Sequence, residues 1–132
     1  MGIIFFIHYK DNVIWIDFCS IHRMIHVSKY LVPKGYNAIT IFPIILIKDR
    51  KLRDDKVLIN HESIHLKQQL ELLIIPFYVL YVAEFIYRLH SYRNWEAAYR
   101  HLSFEREAYA HEKDLAYLKT RPFWNVLNYI FK

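Results

Sequence analysis

The alternation of apolar and polar positions divides this chain into a β-rich first part, residues 1–59, and a helical second part, residues 60–132. Two β-branched and aromatic runs, residues 3–9 and 13–19, flank Lys10-Asp11-Asn12, and a β-hairpin turning at Asp11-Asn12 is expected there. In the second run Ile14, Ile16 and Phe18 alternate with Trp15 and Asp17, the period of a half-buried strand. Val32-Pro33-Lys34-Gly35-Tyr36-Asn37 is the clearest break in the chain. Residues 38–47 are then almost continuously apolar and β-branched and predict a strand. Pro43 has no N–H to give to a ladder, which places that strand on a sheet edge. An edge beside a functional helix can pair with an extended peptide; a purely structural strand is the alternative.

After the charged stretch 48–56, the pattern turns helical. A helix from His61 towards Leu73 is expected, with Asn60 as its N-cap, Glu62 in its first turn and Pro76 ending or kinking it. Residues 72–83 form the most apolar stretch, continuing past Glu84 to Tyr87. It is shorter than the roughly 20 residues that cross a bilayer, and it contains Pro76 and Glu84, so a buried helix is expected. Contact of residues 72–87 with a membrane surface is the competing reading, because Tyr78, Tyr81 and Tyr87 lie in the body and Arg88, His90 and Arg93 on the flank. Trp95–Leu118 is rich in strong helix formers and predicts one long helix ending before Pro122. Residues 123–131 predict a short amphipathic helix packed on the body.

Composition narrows the class. A chain of 132 residues is expected to form one domain, residues 1–132, large enough for a real core. With 55% hydrophobic and 17% aromatic residues and only two Gly, long flexible linkers are not expected. The formal charge of +5 comes from scattered Lys and Arg. Their one cluster, Lys48 to Arg53, is broken by Asp49 and followed by Asp54-Asp55, which reads as a solvated loop; no nucleic-acid partner is expected. Cys19 stands alone, so an internal disulfide is excluded and a reducing compartment suits the chain. The start of the chain lacks a basic n-region, and Phe6 stands where a myristoylation signal has Ser or Thr. The default location is cytoplasmic, with the periphery of the inner membrane as the alternative.

The candidate chemistry lies in Asn60-His61-Glu62-Ser63-Ile64-His65. On a helix, His61 and His65 fall one turn apart on one side and can hold one Zn²⁺, which takes nitrogen ligands at about 2.0–2.1 Å. Glu62 then lies beside the ion without ligating it, placed to act as general base and then general acid. A hydrolytic zinc site usually has a third protein ligand. No further histidine follows at H-x-x-G-x-x-H spacing, so the third ligand is sought on the second helix, where Glu105 and Glu107 project to different faces. Glu105 shares its face with His101, Ala108, Tyr109 and Glu112; Glu107 shares one with Ser103, Phe104, His111 and Asp114. His22 and His26 form a second i,i+4 pair with no acid between them and are expected to be surface or core-edge residues.

His61-Glu62-x-x-His65 with Glu105-x-x-Ala108 resembles the gluzincins, zinc peptidases in which a Glu on a second helix completes the site; the chain also looks like a type of small bacterial H-E-x-x-H protein. The likeness covers residues 57–118. It implies an α+β, zincin-like domain, with an N-terminal antiparallel sheet carrying an edge strand, then a metal helix, an apolar helix and a long ligand helix. It also implies a peptide or protein substrate, Zn²⁺ as cofactor, Glu62 as catalytic base, and His61, His65 and Glu105 as ligands, with Glu107 as the alternative third ligand. Where the membrane-linked gluzincins have Asp four residues after the ligand Glu, this chain has Tyr109. Asp114, Glu112 or Tyr109 can orient a ligand, and Tyr109, His101 or His111 can serve as a donor to a developing oxyanion. The competing implication is a non-catalytic or membrane-surface binding module that keeps structural zinc.

Overall fold

The computed structural model describes residues 24–130, so the hairpin expected over 3–19 and His22 lie outside the described residues. The architecture is α+β. A three-stranded sheet comprises β1 (Ile25–Val27), β2 (Ala38–Ile41) and β3 (Ile44–Ile47). Six helices follow: α1 (Lys56–Glu71), α2 (Ile74–Tyr92), α3 (Trp95–Arg100), α4 (Ser103–His111), α5 (Tyr117–Thr120) and α6 (Leu127–Ile130).

The sheet corrects two expectations. It is mixed rather than antiparallel: β3 lies in the middle, parallel to β1 and antiparallel to β2. Residues 38–47 are not one strand but a hairpin, with Phe42-Pro43 as its turn and Ile41 facing Ile44. Pro43 thus sits where no ladder N–H is needed. Among the described residues β2 pairs with β3 alone and is an edge. His26 lies exposed on β1.

Helix α1 starts earlier than expected. Asp55 is its N-cap, with Oδ1 accepting from the N–H groups of Val57 and Leu58, both at 3.1 Å; a carboxylate there also complements the helix dipole. Asn60, read as the cap, is instead inside the helix. From Ile59 to Gln69 every residue of α1 is buried, although most are polar. One side packs Ile59 and Leu66 against Ile45 and Ile47 of the sheet; Ile64 packs on Ala108 of α4 and on Tyr117. A polar helix held inside a protein needs a partner for each polar group, and those partners build the site.

At Leu73, whose φ is +58°, the chain leaves α1 and turns through 112° into α2. Pro76 lies in the first turn of α2, where its missing N–H costs no helix bond. The helix is not buried as expected. Phe77 is 2% exposed and packs on Phe104 and Val126, but Ile75 is 77% exposed, Val79 63% and Ile86 61%. No single described helix is long and apolar enough to cross a membrane.

The long helix expected over Trp95–Leu118 is three shorter ones. It breaks at His101-Leu102, where buried Leu102 adopts an extended ψ of 135°. Glu84 of α2 then receives the first N–H of α4: both carboxylate oxygens accept from Ser103 N at 3.2 Å, and Oε1 accepts from Ser103 Oγ at 2.7 Å. The other end of α4 is held by Asn60, whose Nδ2 lies within 2.9–3.2 Å of the carbonyl oxygens of His111, Glu112 and Asp114. Helix α4 is therefore pinned at both ends, and Glu105 in its first turn is aimed at α1.

Candidate metal centre

His61 and His65, one turn apart on α1, bring their Nε2 atoms to 3.2 Å from each other. Glu105 reaches across from α4. Its Oε2 lies 3.4 Å from His61 Nε2 and its Oε1 lies 3.4 Å from His65 Nε2. The three side chains are buried, and their candidate ligand atoms all lie within 4.8 Å of one another. Glu105 Oε2 is buried without a hydrogen-bond partner. Leaving such an oxygen unmatched is costly, and a cation held between two imidazoles and a carboxylate would supply the missing partner. Two neutral imidazoles and one carboxylate are a donor set that suits zinc.

The outer ring nitrogens are also held. His61 Nδ1 is 3.0 Å from Glu112 Oε2, and His65 Nδ1 is 2.8 Å from Gln68 Oε1. Each Nδ1–H thus has an acceptor, which leaves the Nε2 lone pairs to face Glu105. Of the partners weighed from sequence, Glu112 takes this place, whereas Asp114 Oδ1 accepts from Ala116 N. Gln68 was not singled out, and no local motif marks it. Burial pushes His65 down, but Glu105, with help from Glu62 and Gln68, outweighs it and carries the pKa up to about 9. Burial likewise opposes the charge of Glu105, and His65 and His61 overcome it, holding its carboxyl well below the usual range.

Glu107, the alternative ligand, does not join this cluster. Its Oε1 accepts from Arg121 Nε at 2.6 Å and from Tyr117 at 2.8 Å, and its Oε2 accepts from Gln68 Nε2 at 2.9 Å and from Arg121 Nη2 at 3.2 Å. Arg121 Nη1 also donates to Glu71 at 2.6 Å. Burial works against the charge on Glu107, but Arg121, Gln68 and Tyr117 hold its pKa below the ordinary value.

Glu62 points from α1 to β2, where Thr40 Oγ1 donates to its Oε2 at 2.6 Å. A cavity of about 470 Å³ opens beside Glu62, His65 and Glu105. Its remaining wall is mostly apolar and aromatic, with Ile39 and Ile41 from β2, Tyr81 and Phe85 from α2, and Trp95 and Tyr99 from α3. Tyr81 donates to Glu105 Oε1 at 2.9 Å. Burial, and then the charge of Glu105, raise the pKa of Tyr81 and of Tyr99 far above the ordinary tyrosine value, so both stay protonated donors. The sequence marks Tyr81 only as a tyrosine of the apolar run facing a possible membrane surface, and nothing local marks Tyr99 in its helix-forming run.

The three donors that were singled out lie elsewhere. Tyr109 packs its ring on His61, with centroids 4.7 Å apart, and does not line the cavity. His101 stacks on Tyr92 and bonds the carbonyl of Ala97 through Nδ1. His111 stacks on Tyr117 and pairs through Nε2 with the Tyr129 hydroxyl. His101 and His111 are thus engaged by these neighbours and do not line the cavity beside Glu62.

The edge strand is partly occupied. Asn37 O accepts from Lys48 N at 2.9 Å, so by alternation the main-chain groups of Ala38 and Thr40, and Phe42 N–H, face away from β3. The Gln69 carboxamide fills two of these outward positions, donating to Thr40 O at 3.0 Å and accepting from Phe42 N at 2.8 Å. Comparison with known protein families, with curated proteins and with solved structures finds no match to this chain.

Proposed function

We propose that this chain is a zincin-like zinc hydrolase that cleaves peptide bonds, with His61, His65 and Glu105 as the ligands. The observation that carries the reading is the buried, unpartnered Oε2 of Glu105 among two imidazole Nε2 atoms. A zinc ion held there would supply a Lewis acid that polarises a carbonyl and acidifies water. The chain's own residues supply the rest. Glu62 takes a proton from the attacking water and passes it to the leaving amine, while Thr40 fixes the carboxylate that does so. Tyr99 offers a hydroxyl at the cavity wall, while Tyr81 donates its hydroxyl to Glu105 and steadies that ligand. An extended peptide would pair with the outward main-chain groups of Ala38 and the N–H of Thr40, because Gln69 holds Thr40 O and Phe42 N–H.

The test is hydrolysis of a mixed peptide library before and after metal removal. Cleavage should stop on chelation and return on adding one equivalent of zinc. Cleavage indifferent to the chelator, or none by protein with zinc in the site, would contradict the enzyme reading.

A second reading, docking on a membrane surface, is favoured by one observation. Ile75, Val79, Val82 and Ile86 recur at i, i+4, i+7 and i+11 and form an exposed stripe on α2 among the described residues. The net charge of +5 complements an anionic bilayer. The protein should sediment with vesicles containing anionic lipid, less so at high salt, and Val79→Glu/Ile86→Glu should abolish it. Failure of the wild type to sediment at either salt concentration ends this reading.

A further inference from the structure

We infer that Gln68 is a positioning residue for the metal centre: its carboxamide, locked in one orientation by Glu107 and Phe104, dictates which nitrogen of His65 faces the metal. The inference rests on the metal-site reading above and concerns residues that touch no ion.

A glutamine side chain has one accepting and one donating end, and its orientation follows from its neighbours. Gln68 Nε2 lies 3.1 Å from the Phe104 carbonyl oxygen and 2.9 Å from Glu107 Oε2, both acceptors. The reversed orientation would set an oxygen against two oxygens in a site where Gln68 and Glu107 are fully buried, losing two hydrogen bonds without water to replace them. Oε1 must therefore face His65, at 2.8 Å from its Nδ1. An acceptor there requires a proton on Nδ1, which leaves Nε2 as the ligand atom.

Behind Gln68 stands Arg121. Its Nε and Nη2 bond the two oxygens of Glu107, and its Nη1 bonds Glu71, so Glu107 stays an acceptor on both sides. Donation thus converges on the Glu107 carboxylate, from Arg121 on one side and from His65 through Gln68 on the other. The two histidines are oriented by different chemistry. His61 leans on Glu112, a carboxylate whose side chain is 22% exposed at the rim; His65 leans on a buried neutral amide.

The experiment compares zinc affinity, by competition with a chromophoric chelator, in wild type, Gln68→Met and Glu107→Gln. Methionine keeps the length but neither accepts from His65 nor donates to Glu107; zinc should bind about 10–100-fold more weakly, the range for loss of a partner behind a ligand. Glu107→Gln has only one accepting end, which Arg121 Nε and Tyr117 claim, so its NH₂ faces Gln68, undoes the lock and should weaken zinc binding several-fold. Zinc affinity unchanged in a folded Gln68→Met overturns the inference while leaving the metal reading intact. A wild type that takes up no zinc overturns both. Should Gln68→Met not fold, long-range ¹H–¹⁵N spectra of zinc-loaded wild type decide. A proton on His65 Nδ1 and slow exchange of both Gln68 amide protons are expected; zinc on Nδ1, or a rapidly exchanging Gln68 amide, overturns it.

Discussion

Glu62→Gln is expected to leave zinc bound as in the wild type and to lower peptide hydrolysis by about 10²–10⁴-fold, the usual contribution of a positioned general base. Glu62 is not one of the three clustered ligand side chains, so its loss should not release the ion. Its Oε2 accepts from Thr40 at 2.6 Å, and glutamine can keep that bond through its amide oxygen. What glutamine cannot do is accept a proton. The effect should fall on kcat, because the missing interaction forms only as bonds break. Metal content is measured beside the kinetics. Zinc retained with hydrolysis within a few-fold of wild type would remove Glu62 from the mechanism; hydrolysis and zinc lost together would make it a structural residue.

Arg121→Met is expected to give the largest loss of stability. The guanidinium sits fully buried between Glu71 and Glu107, at 2.6 Å from each. Removing it strands two buried carboxylates, and breaking such a pair costs about 3–5 kcal/mol. For a chain of this size that is a fall in Tm of roughly 10–20 °C. The dependence on pH should also change sign. In the wild type the pKa of Glu107 is depressed, so its stabilisation is present above the unfolded carboxylate range and is lost as pH falls through the folded value. In the variant, burial without Arg121 raises that pKa, so acidification should stabilise rather than destabilise. Thermal melts of both proteins between pH 7 and pH 3 check this. Parallel curves would show that Arg121 does not hold Glu107 charged.

What was legible in the sequence was the local pattern. The pentad His61–His65 sets two imidazoles on one side of a helix by spacing alone, and Glu105 was separable from Glu107 by the face it shares. The break at Pro33-Gly35 and the helical second part were readable for the same reason. The rest depended on contacts distant in sequence. Gln68 meets Phe104 and Glu107, 36 and 39 positions away, and nothing local distinguishes it from Gln69, which faces β2. Asn60 is a good N-cap by type, yet Asp55 starts the helix and Asn60 gathers carbonyls from the end of α4. The run 72–87 is apolar nearly all round, a pattern that reads as buried; only the packing shows that Phe77 faces inward and Ile75, Val79 and Ile86 do not. The break at Leu102 has no Gly or Pro to announce it. It follows from Glu84, 19 residues earlier, taking the N–H and hydroxyl of Ser103.

The central claim is that His61, His65 and Glu105 hold one metal ion. Elemental analysis of the purified wild type beside His65→Ala and Glu105→Ala tests it most directly. About one zinc per chain in the wild type, lost in both variants, is the expected result. Wild type without metal after zinc is offered, or full zinc retained in Glu105→Ala, would contradict it.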